Sequence, residues 1–264
     1  MKSVEKYILI LTNKNYSKRT IEVYSHYLKM ALKHIRKNPY HLTAKDIESY
    51  LLHYKYTSTS QQNQIIGSLK LFTKYILGKK DIHLSKIERP RKQKKLPRIT
   101  DAEQLAKKIH AIPNLKHKAI LALGLSCGLR ISEVVNLKWE HLDRKEKTLS
   151  VINGKGGKDR NVKLTDDMIQ ILKSYYWEYK SKEYVFNGQN KLKYSTSSIQ
   201  NIFKKHISKN ESYHWLRHNY GTFAVDNGTP LPVLQKTMGH SSSKTTAIYL
   251  HLSNKSLNQM KTAI

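Results

Sequence analysis

From Lys86 to Arg98 the chain runs Lys-Ile-Glu-Arg-Pro-Arg-Lys-Gln-Lys-Lys-Leu-Pro-Arg, with two prolines, dense positive charge and no apolar period. Proline fixes φ and removes a backbone donor, so neither a helix face nor a strand face can be drawn through it. Such a stretch reads as an extended linker. It separates two expected folding units, residues 1–85 and 99–264, with 86–98 between them.

The hydrophobic period on the N-terminal side is helical. Ser17 precedes a stripe of Ile21, Tyr24, Leu28, Leu32 and Ile35, the spacing that lines one helix face. Thr43 with Asp46 predicts a capping box ahead of Ile47, Tyr50, Leu51 and Tyr54. Ser58 or Ser60 opens a third run through Ile65, Leu69, Phe72 and Ile76, stopped by Gly78. An all-α unit is expected. Beyond the linker, Thr100-Asp101-Ala102-Glu103 reads as a capping box, and helices are expected around 115–125 and 131–137. The period then drops to two in Thr148–Ile152 and Arg160–Leu164, which flank a glycine-rich tip and predict a hairpin. Helical spacing returns near 166–179, 197–207, 213–227 and 244–250. The second unit is therefore expected to be mostly α with a small antiparallel sheet.

Charge narrows the partner. The chain holds 48 Lys+Arg against 19 Asp+Glu, a formal net charge of +29. Self-repulsion on that scale is relieved by a polyanion, and nucleic acid is the expected one, weighed against a cationic surface kept for solubility or attraction to anionic membranes. Lys18, Arg19 and Lys70, between the apolar stripes, and Arg91, Lys92, Lys94 and Lys95 in the linker are candidate phosphate contacts. No apolar run approaches the ~20 residues a membrane span needs, and Met1-Lys2-Ser3-Val4-Glu5 mixes signs and lacks the long apolar stretch expected of a secretory signal. The single cysteine, Cys127, leaves no internal disulfide. A cytoplasmic, nucleoid-associated protein without a membrane partner is expected.

Four motifs carry chemistry. Gly128-Leu129-Arg130-Ile131-Ser132-Glu133 places an arginine on a short corner between helices, with Gly128 ending one and Ser132 capping the next. Asn153-Gly154-Lys155-Gly156-Gly157-Lys158-Asp159-Arg160 puts two lysines, Lys155 and Lys158, on the hairpin tip. It lacks the Gly-Lys-Ser/Thr ending of a nucleotide-binding loop. Ser212-Tyr213-His214-Trp215-Leu216-Arg217-His218 sets His214 and Arg217 at i, i+3 on one face if Ser212 caps the helix, with Trp215 and Leu216 toward the core. Met238-Gly239-His240 leads into Tyr249. Singly, each also fits a solvated arginine, a basic turn, a satisfied histidine or a core tyrosine. Together they supply what metal-free phosphodiester cleavage requires. Arginine forks bind the phosphate, a lysine or histidine moves protons, and a tyrosine can be the nucleophile.

In this order the motifs resemble the tyrosine recombinase or phage integrase family, its Xer-type branch in particular. The resemblance spans essentially the whole chain, with Met238 standing where leucine is common. It implies a site-specific DNA strand transferase that needs no ATP, metal or other cofactor. It also implies an N-terminal core-binding domain that joins the catalytic domain in a clamp on DNA, and a homo-tetramer, or a hetero-tetramer with a related recombinase. Carried over, Arg130 and Arg217 would bind the scissile phosphate, and Lys155 would protonate the leaving 5′-oxygen. His214 would assist proton transfer with Tyr249, the nucleophile, and His240 would donate to a nonbridging oxygen. Glu133 would be an accessory acid that orients these groups. A nicking-closing enzyme of the type IB topoisomerase kind, and a DNA-binding regulator that never cuts, are the alternatives; exchanged products and a covalent adduct respectively separate them. A metal-dependent nuclease would want clustered carboxylates, and in the motifs holding Arg130, His214 and Tyr249 only Glu133 is acidic.

Overall fold

Short polar side chains set most of the α-helix N-termini. The computed structural model describes residues 2–78, 89, 99–152, 159–189, 191–250 and 252. The chain divides into two compact units, Met1–Lys94 and Lys95–Ile264.

The first unit is all helical: α1 (Lys2–Asn13), α2 (Lys18–Ile35), α3 (Ala44–His53) and α4 (Thr59–Phe72), the last continuing as a π turn, Thr73–Leu77. Ser17 accepts from the Thr20 N–H, Thr43 and Asp46 close a capping box, and Ser58 accepts from the Gln61 N–H. Each such cap is worth about 1 kcal/mol. Gly78 ends the π turn at φ +63°. Tyr7, Leu11, Leu28, Ile47, Ile65, Leu69 and Phe72 form the core and are fully buried; each contributes roughly 1.5–3 kcal/mol by leaving water. The buried Tyr7 hydroxyl donates to the Ser68 carbonyl at 3.0 Å, and Ser68 Oγ donates to the Tyr24 carbonyl at 2.6 Å. Lys18 and Arg19 are exposed at the start of α2, and Lys70 is half-buried on α4.

The second unit is built around α6 (Leu115–Ser126), whose residues Ala119–Leu123 are buried on all sides. A helix apolar all round belongs inside a domain. Against it pack α5 (Ala102–His110), α8 (Asp166–Tyr179), α9 (Thr196–His206) and α10 (His214–Asp226). The short α7 (Ile131–Val135) follows α6, and α11 (Leu231–Met238) and α12 (Ser243–Ala247) follow α10. Strands β1 (Leu142–Asp143), β2 (Thr148–Val151) and β3 (Arg160–Lys163) form an antiparallel sheet in that order, with Leu149 opposite Val162 and Val151 opposite Arg160. A smaller cluster of Leu234, Met238 and Tyr249 packs with Tyr220 and Val225 beside this core. The chain is mainly α with one small antiparallel sheet. No helix among the described residues is long and apolar enough to cross a membrane.

Several local expectations are corrected. Asp101, not Thr100, caps α5: its carboxylate accepts from the Glu103 and Gln104 N–H groups, while the Thr100 N–H donates to Asn219. Ser132 lies inside α7, whose cap position is Arg130, and the Glu133 carboxylate accepts from the Arg130 N–H. Ser212 does not cap α10 with its side chain; the Trp215 N–H bonds its carbonyl, and Gln200 accepts from the Tyr213 N–H. The helix expected over 244–250 ends at Ala247, leaving Tyr249 in the following turn. The sequence pattern assigns no helix between Asn227 and Lys244, where α11 stands. Lys155 and Lys158, and Arg91, Lys92, Lys94 and Lys95, lie outside the described residues.

Candidate active site

Gly128 begins the site. Its φ is +59°, and a Cβ there would sit 2.5 Å from the Tyr220 ring, so only glycine fits between α6 and Arg130. The turn delivers Arg130 to the head of α7, where its backbone N–H donates to Glu133 Oε2 and its Nη1 to Glu133 Oε1, both at 2.8 Å. Arg130 Nη2 donates to the Gly239 carbonyl at 3.1 Å. The side chain remains 18% exposed, leaving an open edge on the guanidinium. A cleft of about 360 Å³, lined by Arg130, Ser132, Glu133, His141 and Ser150, borders it.

Arg217 enters from α10 and is fully buried. Its Nη1 donates to the Gly128 carbonyl at 2.5 Å and its Nη2 to the Met238 carbonyl, while its Nε has no partner among the described residues. Burial, and then the neighbouring Arg130, pull its pKa down to about 10. Holding a cation there is costly, and an unpaired buried donor adds to the cost.

A third arginine, which closes the glycine-rich motif but to which the sequence assigns no role, completes the cluster. Arg160 is only 4% exposed and donates through Nη1 and Nη2 to Glu133 Oε1 and Oε2 at 2.9 and 2.7 Å. Its Nε donates to the Thr237 carbonyl at 2.7 Å. Burial opposes ionisation of Glu133, but the hydrogen bonds and charge of Arg160, and then Arg130, outweigh it and hold the carboxyl below its ordinary value. One carboxylate therefore faces three guanidiniums, and the cluster keeps a surplus of positive charge.

Tyr249 lies 2% exposed with its ring against the α10 backbone. Gly221 permits this: a Cβ there would meet Tyr249 Cζ at 2.6 Å. The Tyr249 hydroxyl is 3.4 Å from His218 Nδ1, not from His214. His214 packs edge-on against His218 at 4.7 Å between ring centroids, and His240 stacks on Tyr249 at 6.2 Å. Burial first, then nearby groups that include Arg217 and Arg130, push both His214 and His240 down to about 4. His218 is lowered by burial and Arg217. The imidazoles are thus neutral near pH 7 and can accept protons. Burial pushes Tyr249 up to about 12 against the pull of Arg217 and Arg130. His240 Nδ1 is 2.9 Å from the Thr246 hydroxyl. No group of three or more His, Cys, Asp or Glu side chains among the described residues could hold a metal ion.

Of the expected site residues, the structure brings Arg130, Glu133, His214, Arg217, His240 and Tyr249 together. Arg160, His218 and Gly221 are the additions. Arg160 had a signal, because it falls in phase with Val162 and Leu164 on an otherwise apolar strand face. His218 follows Arg217 directly, and only the placement of Tyr249 reveals its contact.

A mostly helical domain with a small antiparallel sheet, focusing arginines and imidazoles on a buried tyrosine, is the arrangement of the tyrosine recombinases. Residues 98–256 match the phage integrase family, and residues 4–82 match the phage integrase N-terminal SAM-like domain. The chain belongs to the phage integrase family and is an enzyme of site-specific DNA recombination. It is 29% identical over 265 residues to the tyrosine recombinase XerA of Pyrococcus horikoshii, across 97% of this chain and 91% of that one. The crystal structure of XerA recombinase matches with a TM-score of 0.55 at 28% identity, covering 98% of this chain and 96% of that chain. The XerH site-specific recombinase, bound to a palindromic difH substrate in a post-cleavage complex, matches with a TM-score of 0.74. That likeness covers 93% of this chain and 80% of the other, and at 20% identity it is one of fold.

Proposed function

We propose that Tyr249 attacks the scissile phosphate of double-stranded DNA and forms a 3′-phosphotyrosine, which the 5′-hydroxyl of a partner strand then resolves. One observation carries this reading. Arg217 keeps an Nε unpaired among the described residues, inside a cluster with surplus positive charge, alongside a buried tyrosine and neutral imidazoles. A phosphate supplies the missing acceptor and the missing negative charge.

Arg130 and Arg217 bind the nonbridging oxygens, and Glu133 orients Arg130. As the bond from Tyr249 Oη to phosphorus forms and the bond to the 5′-oxygen breaks, the phenol proton passes to His218, with His214 packed behind it. Lys155 protonates the leaving 5′-oxygen. If His240 Nδ1 accepts from the Thr246 hydroxyl, Nε2 carries the ring proton and donates to a nonbridging oxygen. The arginines supply the charge a divalent cation would bring, so no cofactor enters the scheme. Lys18, Arg19, Lys70, Arg91, Lys92, Lys94, Lys95 and Lys158 contact the DNA backbone. Residues 1–85 act as the core-binding domain, 86–98 as the linker and 99–264 as the catalytic domain. The enzyme works as a tetramer on two DNA sites, in the cytoplasm at the nucleoid, in integration, excision or dimer resolution.

The test begins by selecting duplexes bound by the Tyr249→Phe variant from a random-sequence pool. Wild-type protein with EDTA is then given two duplexes of different length that carry the selected site. Recombinant-length products are expected. Relaxation of a supercoiled circle without exchanged products would show a nicking-closing enzyme instead, and binding without any cleavage would show a regulator.

A further inference from the structure

The last turn of α11 gives a complete account of its carbonyls. A helix leaves its final carbonyls without intrahelical donors, and they form the negative end of its dipole. Those of Gln235 and Lys236 are satisfied by the backbone N–H groups of Gly239 and His240, as a left-handed glycine at φ +61° allows. The next three each accept from a different arginine. Thr237 takes Arg160 Nε, Met238 takes Arg217 Nη2 and Gly239 takes Arg130 Nη2. The same turn leads through α12 to Tyr249.

Arg160 differs from the other two. Each of its guanidinium nitrogens is already engaged, two by Glu133 and one by Thr237, and its side chain is 4% exposed. It has no open edge for a phosphate. Glu133 in turn is saturated, each oxygen accepting one hydrogen bond from Arg130 and one from Arg160. A Cβ on Gly239 would lie 3.1 Å from Arg160 Cδ, so the turn and the arginine are fitted to each other.

We propose that Arg160 is a positioning residue of the cleavage step: it holds Glu133 and the α11 turn together, and so fixes the Arg130 guanidinium on the turn that also anchors Arg217. The proposal rests on the reading of Arg130 as a phosphate ligand and of Tyr249 as the nucleophile. Without Arg160, Glu133 keeps Arg130 as its only cationic partner among the described residues, and Arg130 is drawn toward the carboxylate rather than held for the phosphate.

The test measures single-turnover adduct formation on a nicked duplex carrying the selected site. One substrate has an ordinary scissile phosphate, and the other has a methylphosphonate, in which an uncharged methyl replaces one nonbridging oxygen. With that charge gone, a correctly aimed guanidinium matters less. Arg160→Gln should slow adduct formation on the phosphate by roughly 10–100-fold, as loss of a supporting partner does at other catalytic centres. Its DNA affinity should stay unchanged. On the methylphosphonate the loss should shrink, as it should for Arg130→Ala. The double variant should be no slower than Arg130→Ala alone, because both changes remove one function. Arg160→Lys should recover part of the rate, and it replaces Arg160→Gln if the latter does not melt cooperatively. A loss of equal size on both substrates that multiplies with Arg130→Ala, or no loss at all, would overturn the proposal. A wild-type protein that forms no adduct on the phosphate would refute the underlying reading before any Arg160 variant is compared.

Discussion

His218 holds the only hydrogen-bonding contact to the Tyr249 hydroxyl among the described residues, at 3.4 Å. His214 and Arg217 face it from α10, and Tyr249, with His240 stacked on it, faces it from the other side. Burial and Arg217 depress its pKa, so it is free to take a proton at neutral pH. His218→Gln should therefore slow cleavage by roughly 10² at pH 7, the usual scale for losing a positioned base. The variant's rate should then climb steadily with pH, because hydroxide must remove a phenol proton whose pKa is raised to about 12. The wild-type rate should level off once His218 is neutral. Identical pH profiles would mean that His218 only packs against the ring. This contact was invisible in the sequence, where His-x-x-Arg drew attention to His214. Arg130, Glu133, Arg217, His240 and Tyr249 were legible because their motifs combine rare turns with charge at fixed spacing. Arg160 was not, because a charge at an inward strand position reads as a break in the pattern until a buried carboxylate opposite explains it.

At the scale of elements, α10 offers the sharpest probe. Alanine favours a helix over glycine by about 1 kcal/mol, so Gly221→Ala would stabilise an open helix. Here the added methyl would meet the Tyr249 ring at 2.6 Å. The variant should lose about 1–3 kcal/mol in thermal or urea unfolding through overpacking, and should cleave poorly while binding DNA normally. Unchanged stability and cleavage would show that the tyrosine does not rest on α10. Acid should loosen the same region. His214 and His240 are pushed down to about 4 in the folded chain, against an ordinary value of 6.5. As pH falls below 6.5 the unfolded chain takes up protons that the folded one refuses, so stability is lost between pH 6.5 and about 4. Glu133, held below its ordinary 4.5, adds its own loss below that pH. A melting temperature that stays constant from pH 7 to about 4 would contradict the burial of these imidazoles. Helices with a side-chain cap and a clear stripe, such as α2, α3, α4 and α8, could be read directly from the sequence. The α11 helix could not, since Pro230 and Pro232 mark a break, although Pro230 takes the cap position and Pro232 fits the first turn. The two-residue β1 is too short to show a period.

For the whole molecule, the net charge of +29 dominates. DNA affinity should fall steeply with salt, with a log–log slope of about −0.9 per phosphate neutralised. Neutralising Arg91, Lys92, Lys94 and Lys95 together should flatten that slope and lower affinity for every sequence alike. A loss confined to the selected site would mean that these residues read bases. The expected division rests on proline and charge interrupting the hydrophobic period between residues 86 and 98, and the chain divides into its two compact units between Lys94 and Lys95. The meeting of motifs separated by more than a hundred residues became visible only in the fold.

The central claim is that Tyr249 becomes covalently joined to DNA. Wild-type protein and Tyr249→Phe are incubated with the nicked selected duplex, denatured and digested with trypsin, and the DNA-linked peptide is identified by mass spectrometry. The account predicts a 3′-phosphotyrosine on the peptide spanning residues 245–255, which contains Tyr249, and no adduct from Tyr249→Phe. An adduct on another peptide, such as the one holding Tyr220, or one that persists in the Tyr249→Phe variant, would contradict it.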